Sequence, residues 1–538
     1  MSKRSGTVIV NNIKLPINAS YKEAFSVAES RLKKIGIKPR AESCAIFRRS
    51  VDARRKSDIK FVYSVACLCE NIPDEKRLLA EGMSLVGEEK IDFKFGTSAL
   101  SAPPVIVGSG PAGLFAALML AENGYNPTLI ERGGSVEERR AAVERLKAYR
   151  ILDPETNIQF GAGGAGTFSD GKLVTRVNDP LVSCVLNRFI EFGAPEEISL
   201  VAKPHIGTDI LSVIVEKMLR RIEELGGRVL YNTKFLSAVH SGGAVSAVKT
   251  SRGILPAGAV ILAIGHSARD TYETLISEGF SVVAKDMSVG MRIEHRAEDI
   301  DKAMYGDFAG HPALGHAEYT LSYNTKARGV YTFCMCPGGE VVAAASEEGG
   351  VVVNGMSENA RDKENSNSAV VVSVRKEDYG ATPLSAIEFQ RKIERGAFRA
   401  GGSDYSAPII TVGDLYSGEL KAEPKRVLPS YMSGGVRLAR PEEYLPGFVT
   451  EGIKGALYDF DKKIKGFGAA DALLTGAETR TSAPVRILRD KDTHLAIGFI
   501  NLYPAGEGAG YAGGITSASI DGIKTALCLM REFSPILK

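Results

Sequence analysis

The sequence has few cysteines and no long apolar runs. Its 538 residues include seven cysteines, an odd number, which argues against a disulfide scaffold and favours a reducing compartment. No apolar run reaches the roughly 18–20 residues that a membrane-spanning helix needs, and the basic start lacks a following apolar stretch. No His/Cys spacing is typical of zinc, and we predict no metal site. These absences together predict a soluble, cytoplasmic protein.

The overall composition is that of a globular chain. Hydrophobic residues make up 44% and charged residues 24%, and the net charge of +3 does not by itself indicate a partner. A chain of this length exceeds a single hydrophobic core, so we expect two or three domains.

The stretch from Pro104 to Gly133 has the pattern of a dinucleotide-binding βαβ unit. A short apolar strand runs directly into Gly108, Gly110 and Gly113, an apolar helix follows, and a second strand ends on Glu131. The glycines allow a tight turn, a close approach to a pyrophosphate, and close packing of the helix on the sheet. The helix N-terminus offers N–H groups to phosphates, and Glu131 stands where an acid accepts hydrogen bonds from a ribose.

A second glycine-rich stretch, residues 161–173, follows no clear apolar strand. It is therefore not a second nicotinamide-binding unit. We interpret it as a loop lying against a flat ring or a phosphate, and a plain mobile loop is the alternative.

The C-terminal part of the sequence again has features of nucleotide binding. A strand-like run near 259–263 ends close to Gly265, and a later strand leads into the residues GEGAGYAGGI before a helix of small residues. Glu507 stands at the position where flavin enzymes more usually carry Asp for the ribityl or pyrophosphate segment. The N-terminus of the following helix would stabilise negative charge at the pyrimidine end of a reduced flavin.

The rest of the chain differs in composition. Short β-runs and turns dominate from about 280 to 480, with helix near 383–398 and 457–474 and a polar surface loop at 359–367. The first hundred residues combine β-runs with one amphipathic helix, as in a small ferredoxin-like βαββ fold. Residues 31–60 carry eleven Lys or Arg against three acidic residues. This basic segment indicates either an anionic partner such as RNA or simply a solvated surface.

Several motifs together resemble the FAD/NAD(P)-binding oxidoreductase superfamily: VGSGPAG, the acid at Glu131 and the GEGAGYAGGI closure. The segments KPHIGTD, TFCMCPGG, NGMS and ETRTSAPVRI more closely resemble the bacterial "NAD(FAD)-utilizing dehydrogenases". The resemblance implies bound FAD and an α/β fold. Its glutathione-reductase-like, Rossmann-like FAD-binding domain would be discontinuous (102–279 and 491–538). A β-rich substrate or cap domain (280–490) and an N-terminal α+β ferredoxin-like module (1–98) would complete the chain.

The candidate site residues fall into three groups: those for catalysis, two arginines that could bind an anion, and those for FAD binding. His205 and His266 are acid–base candidates, and Cys334 and Cys336 are redox candidates. Lys203 is a candidate for stabilising reduced flavin or binding an anionic substrate. Each of these residues also suits a structural role. Arg480 and Arg486 suit either an anion or surface ion pairs. The residues predicted to bind FAD are Gly108, Gly110, Pro111, Ala112, Gly113, Glu131, Arg132, Gly164, Lys172, Gly265, Gly506, Glu507, Gly513, Gly514 and Ile515.

We therefore predict an FAD-dependent oxidoreductase, a dehydrogenase or reductase that exchanges hydride at flavin N5 with a small-molecule substrate. NAD(P)H is expected, if used, as a transient reductant. A nucleic-acid-associated, RNA-modifying flavoprotein and a non-catalytic flavin-binding interaction protein are the alternatives.

Overall fold

A computed structural model describes residues 4–86, 94–175, 177, 179–421, 423–431 and 435–536 of the chain. Among these residues, none of the helices is both long enough and apolar enough to cross a bilayer.

The N-terminal unit is an antiparallel sheet with helices packed against it. Its elements are β1 (Arg4–Pro16), α1 (Tyr21–Lys34), β2 (Lys38–Asp52), β3 (Lys60–Ile72), α2 (Glu75–Ala80) and β4 (Met83–Leu85). The strand order is β2-β3-β1-β4, and α1 buries Ala24, Ala28 and Leu32 at helical spacing. The predicted βαββ pattern omitted α2 and β4, whose short sequences carry little periodic signal.

The sequence argues against a disulfide scaffold, and the described part of the chain has a single disulfide, in the N-terminal unit. Strands β2 and β3 pair with Cys44 opposite Cys67, and a disulfide joins these two residues. They stand 23 residues apart in the sequence, so that only the register of the two strands brings them together. The other cysteines are free: Cys69, Cys184, Cys334, Cys336 and Cys528.

The next segment supplies most of a parallel sheet. Its elements are β5 (Val105–Val107), α3 (Pro111–Glu122), β6 (Thr128–Ile130), α4 (Val136–Tyr149), α5 (Leu181–Glu191), α6 (Thr208–Glu224), β7 (Arg228–Leu230), β8 (Phe235–Ser241), β9 (Ala244–Thr250), β10 (Gly253–Pro256), β11 (Val260–Leu262) and α7 (Arg269–Ser277). Strands β8, β9 and β10 form a separate antiparallel meander.

A longer, strand-rich segment follows. Its elements are β12 (Val282–Ala284), β13 (Met287–Arg296), α8 (Ala297–Tyr305), β14 (Ser322–Asn324), β15 (Gly329–Cys336), β16 (Glu340–Ala343), β17 (Val353–Met356), β18 (Asn365–Val374), α9 (Pro383–Ala400), β19 (Ala407–Thr411), α10 (Val412–Ser417), β20 (Val436–Leu438), α11 (Gly447–Lys463), β21 (Leu473–Glu478) and β22 (Val485–Ile487). Seven of these strands form one sheet, in the order β14-β15-β18-β13-β21-β19-β20.

Two sequence-based predictions in this segment are wrong. The helix predicted over 457–474 ends at Lys463, and β21 begins at Leu473. The polar loop predicted at 359–367 already enters β18 at Asn365, because Asn365 and Asn367 are buried and hydrogen-bonded rather than solvated. Asn367 accepts a hydrogen bond from Arg292, and Asn365 donates one to Glu294.

The chain returns to the parallel sheet at its C-terminal end, with β23 (Leu502–Pro504) and α12 (Ile515–Glu532). The sheet order is β23-β11-β5-β6-β7, with every neighbouring pair parallel. Helices α3 and α12 pack closely on one another, since a Cβ on Gly522 would lie 2.1 Å from the carbonyl oxygen of Ala112. Strands β5 and β23 therefore belong to one sheet, with β11 between them, although they lie almost 400 residues apart in the chain.

Candidate cofactor and active site

One cavity of about 330 Å³ lies at the carboxyl ends of the parallel strands, the edge at which open α/β sheets bind ligands. Three parts of the chain line it: the segment from β5 to α7, the seven-stranded sheet, and the turn before α12. Most of the predicted site residues line this cavity: Gly108, Gly110, Pro111, Ala112, Glu131, Arg132, Gly164, Lys172, Gly265, Cys334, Glu507, Gly513, Gly514 and Ile515.

Of the residues predicted for catalysis or FAD binding, five do not line this cavity. Gly113 lets α3 approach β5, since a Cβ there would lie 1.9 Å from the carbonyl oxygen of Gly108. Gly506 donates its N–H to Asp521, and Cys336 is fully buried behind Cys334. The remaining two, His205 and Lys203, belong to a polar cluster described below.

Two helix N-termini face the cavity, and both are suited to an anion. Helix α3 begins at Pro111 and α12 at Ile515, with Gly110 and Gly514 as their N-cap residues. Neither N-cap supplies a side-chain hydrogen bond, so the first-turn N–H groups of both helices are left to a ligand. This arrangement fits FAD, whose pyrophosphate and flavin ring would each meet one positive helix end.

Glu131 is held by four hydrogen bonds within the protein. One carboxylate oxygen accepts from the N–H and the hydroxyl of Ser109, at 2.9 and 2.7 Å. The other accepts from the N–H groups of Gly133 and Gly161, both at 3.0 Å. Because a carboxylate has about four acceptor sites, ribose binding would require a bond to be exchanged. The ribose role of Glu131 stays a prediction.

Arg139 supports the glycine-rich loop from beneath, a role that the sequence analysis missed. It is fully buried and donates to the backbone carbonyls of Asn157, Ile158 and Ala162. Burial lowers the pKa of its guanidinium to about 9. The same loop meets the first nucleotide turn, since a Cβ on Gly164 would lie 2.7 Å from the Cα of Gly110. In the sequence, nothing distinguishes Arg139 from the exposed charged residues of α4.

The strand-rich segment contributes the opposite wall of the cavity, with Phe333, Cys334, Asn354, Glu478, Arg480 and Thr481. Within this wall Glu478 forms a buried ion pair with Arg292, which does not itself line the cavity, at 3.0 and 3.1 Å. Arg292 also donates to the backbone carbonyl of Cys334 and to Asn354. The ion pair therefore fixes this wall in place.

Cys334 and Cys336 are brought together by an irregularity in β15. The pairing of β15 with β18 shifts register between Phe333 and Cys336, and Cys334 has a φ of 43°. The Cys336 thiol donates a hydrogen bond to the backbone carbonyl of Cys334 at 3.3 Å. The interaction of the two neighbouring thiols lowers the pKa of Cys334 to about 7 and raises that of Cys336. Cys334 therefore meets the cavity as the more acidic thiol.

Two titratable groups that line the cavity have strongly shifted pKa values. Burial raises the pKa of Glu507 from its ordinary value of 4.5 to about 7. Burial lowers the pKa of His266 to about 3, and its Nδ1 lies 2.9 Å from the hydroxyl of Ser267. At neutral pH Glu507 therefore holds a proton in a substantial fraction of molecules, and His266 is neutral.

His205 and Lys203 lie in a polar cluster outside the cavity lining. Burial lowers the pKa of His205 to about 4, and its Nδ1 has no hydrogen-bond partner in the described structure. Lys203 is exposed and lies 3.6 Å from Glu318. Arg361 joins Glu318 to the buried Asp170, which itself lines the cavity. The structure therefore places Asp170, rather than His205 or Lys203, at the site.

The two arginines considered for an anion or for surface ion pairs, Arg480 and Arg486, both make contacts within the protein. Arg480 lines the cavity, but it donates two hydrogen bonds to Glu394 and one to Ser346. Arg486 packs over the ring of Tyr511 and donates to the carbonyl of Gly510, outside the cavity lining. Across the described residues, no cluster of His, Cys, Asp and Glu side chains is arranged to hold a metal ion.

Comparison with known families identifies the cofactor. Residues 102–253 match the family described as "FAD binding domain", and residues 286–481 match "FAD-dependent protein, C-terminal domain-like". Residues 8–68 match "Domain of unknown function (DUF8436)". Together with the two helix ends at the cavity, these matches show that FAD is the cofactor of this chain.

Among solved structures, the L-amino acid deaminase from Proteus vulgaris is similar with a TM-score of 0.33 and 13% identity, covering 83% of this chain and 97% of its own. The glycine oxidase from Bacillus cereus has a TM-score of 0.32 and 10% identity, covering 81% of this chain and 99% of its own. These scores are too low to support a conclusion about this chain.

A protein of Clostridium beijerinckii, described as an uncharacterized protein, is 45% identical over 97% of this chain and 98% of its own length. An identity of this extent covers the N-terminal unit, the parallel sheet and the strand-rich segment alike. The chain therefore belongs to the same family of FAD-dependent proteins as this Clostridium protein.

Proposed function

We propose that this protein is an FAD-dependent oxidoreductase, a dehydrogenase or reductase acting on a small molecule. The observation that carries the proposal is the single cavity lined by two distant glycine-rich turns and by the strand-rich segment. The two turns would hold the cofactor, and the strand-rich wall would contact a substrate bound against the flavin. We further propose that it is one of the bacterial "NAD(FAD)-utilizing dehydrogenases" that its sequence resembles.

The proposal also interprets the domain organisation. We interpret residues 102–279 and 491–538 as the two parts of a glutathione-reductase-like FAD-binding domain. Residues 280–490 are then an inserted substrate or cap domain, and residues 1–98 are a ferredoxin-like module. The pairing of β12 with β22 supports this division, because it brings together the two ends of the insert.

FAD, when bound, supplies two-electron chemistry through hydride exchange at N5. The first-turn N–H groups of α3 would hold its phosphates, and those of α12 would stabilise negative charge at the pyrimidine end. The wall formed by Phe333, Asn354 and Thr481 would limit access of water to the reacting face.

Glu507 is the group best suited to hold a proton at the site. It lines the cavity, and its raised pKa of about 7 lets the carboxyl group both donate and accept a proton near neutral pH. Lys285 acts in the opposite sense, since its charge lowers this pKa. We therefore propose Glu507 as the acid that accompanies hydride exchange.

The test is anaerobic mixing of the yellow holoprotein with NADH or NADPH. We expect one of the two nucleotides to reduce the flavin and bleach its absorbance within the time of a turnover. A flavin that neither nucleotide nor a panel of small metabolites reduces would contradict the proposal. Free FAD in the same buffer is the control for a reaction without the protein.

A further inference from the structure

The free thiols of β15 lie at the wall that faces the cofactor. Cys334 is half-buried and lines the cavity, and Cys336 is fully buried directly behind it. On a regular strand, residues two apart point to the same side but their thiols do not meet. The register shift between Phe333 and Cys336 changes this geometry, and the Cys336 thiol turns toward residue 334, donating a hydrogen bond to its backbone carbonyl at 3.3 Å.

We propose that Cys334 and Cys336 are a redox-active dithiol of the FAD cavity, with Cys334 as the nucleophile and Cys336 as the resolving thiol. The substrate class is a small-molecule disulfide. This inference rests on the proposed function and deepens it, because it names the chemistry of the substrate.

The surroundings favour a thiolate on Cys334. The buried guanidinium of Arg292 donates to the backbone carbonyl of Cys334 at 3.0 Å, and its Nη1 lies 4.0 Å from the Sγ of Cys336. The charges of Arg292 and Lys172 both lower the pKa of Cys334, whereas that of Asp170 raises it. The carboxyl group of Glu507 is also within electrostatic reach of Cys334. A thiolate that faces a cavity is the form that attacks a disulfide.

The reaction balances in two exchanges. The thiolate of Cys334 attacks one sulfur of the substrate RSSR, the S–S bond breaks, and the leaving thiolate takes up a proton to give RSH. Cys336 then loses its proton and attacks the sulfur of Cys334, which releases the second thiol and forms the Cys334–Cys336 disulfide. Two electrons and two protons have moved from the two cysteines to the substrate.

Return to the dithiol consumes two electrons and two protons. The S–S bond breaks, and each sulfur gains one electron and one proton. FAD, when bound and reduced in this cavity, would supply the two electrons that this step requires and would be oxidised in turn.

The experiment uses the holoprotein, reduced and freed of reductant, and then treated anaerobically with oxidised glutathione. Acid stops the exchange, N-ethylmaleimide labels the remaining thiols, and mass spectrometry follows the tryptic peptide 329–361, which contains both cysteines. In the wild type we expect this peptide to be unlabelled and lighter by two hydrogens. In Cys336→Ser we expect one glutathione trapped on Cys334, and in Cys334→Ser we expect no glutathione on the peptide.

The matched control is Cys184→Ser, a free half-buried cysteine on α5, which should leave the peptide oxidised as in the wild type. Retention of FAD shows that each variant is folded. A wild-type peptide that carries two maleimides, or glutathione trapped on Cys336 in Cys334→Ser, would overturn the assignment.

The two proposals fail differently. Flavin bleaching without the disulfide would overturn the dithiol and leave the oxidoreductase proposal standing. Disulfide formation in a protein that no nucleotide or metabolite bleaches would support the dithiol and contradict the proposed function.

Discussion

Arg292 and Glu478 form a two-bond ion pair in the interior of the seven-stranded sheet, at 3.0 and 3.1 Å, and neither side chain is appreciably exposed. They lie on neighbouring strands, β13 and β21, and Arg292 extends the pair to the carbonyl of Cys334. The Arg292–Glu478 ion pair therefore connects the core of the sheet to the wall of the cavity.

Removal of one partner of this pair should strongly reduce the stability of the fold. We expect Glu478→Ala to lower the free energy of unfolding by about 3–5 kcal/mol, because it leaves the charge of Arg292 buried and unpaired. The control is Glu388→Ala, which breaks an exposed pair with Arg395 and should cost less than about 1 kcal/mol. Chemical denaturation measures both variants, and equal losses would contradict the role given to the buried pair.

The first nucleotide turn offers a pair of neighbouring glycines with opposite expected effects. A Cβ on Gly110 would meet no protein atom closer than 3.9 Å, yet Gly110 lines the cavity. We expect Gly110→Ala to fold normally and to bind FAD at least about tenfold more weakly, a loss of ~1.4 kcal/mol.

Gly113→Ala should behave in the opposite way. Its Cβ would meet the carbonyl oxygen of Gly108 at 1.9 Å, and we expect an overpacking cost of about 1–3 kcal/mol or more in stability. Thermal unfolding and fluorescence titration with FAD separate the two effects. Unchanged FAD affinity in a folded Gly110→Ala protein would contradict the proposed position of the cofactor.

Arg139 should control FAD binding without contacting the cofactor. Arg139→Leu leaves three backbone carbonyls without their donor, at about 1–3 kcal/mol for each buried group that stays unsatisfied. We expect the glycine-rich loop to lose its conformation and FAD affinity to fall. Arg140→Leu, on the exposed face of the same helix, is the control and should leave FAD affinity unchanged.

The raised pKa of Glu507 predicts a pH dependence of stability. The folded chain keeps this proton up to about pH 7, whereas the unfolded chain releases it near 4.5. The folded state therefore loses stability as the pH rises between these values. Glu507→Gln cannot ionise, so its melting temperature relative to the wild type should rise between pH 5 and pH 8. A difference that is the same at both pH values would show that the carboxyl group is not buried in this way.

The sequence was most informative where local spacing determines the structure. The turn from Gly108 to Gly113, the acid that ends β6 and the turn before α12 are local patterns, and most of their residues line the cavity. In each case the signal lies within a dozen residues.

Features that depend on distant pairings were not accessible from the sequence. The Cys44–Cys67 disulfide follows from the register of β2 and β3, and the Arg292–Glu478 pair joins residues 186 positions apart. Buried polar side chains such as Asn365 read as a surface loop, because only the folded sheet supplies their partners. The predictions for the basic segment at 31–60 remain open to a binding experiment.

The central claim is that the turns at Gly108–Gly113 and Gly506–Ile515 hold one FAD between them, with the strand-rich wall on its flavin face. A crystal structure of the protein grown with FAD tests this most directly. We predict one FAD per chain, with its phosphates at the N-terminus of α3 and its flavin ring between Gly513–Ile515 and Cys334. An FAD that contacts only one of the two turns, or that lies outside this cavity, would contradict the account.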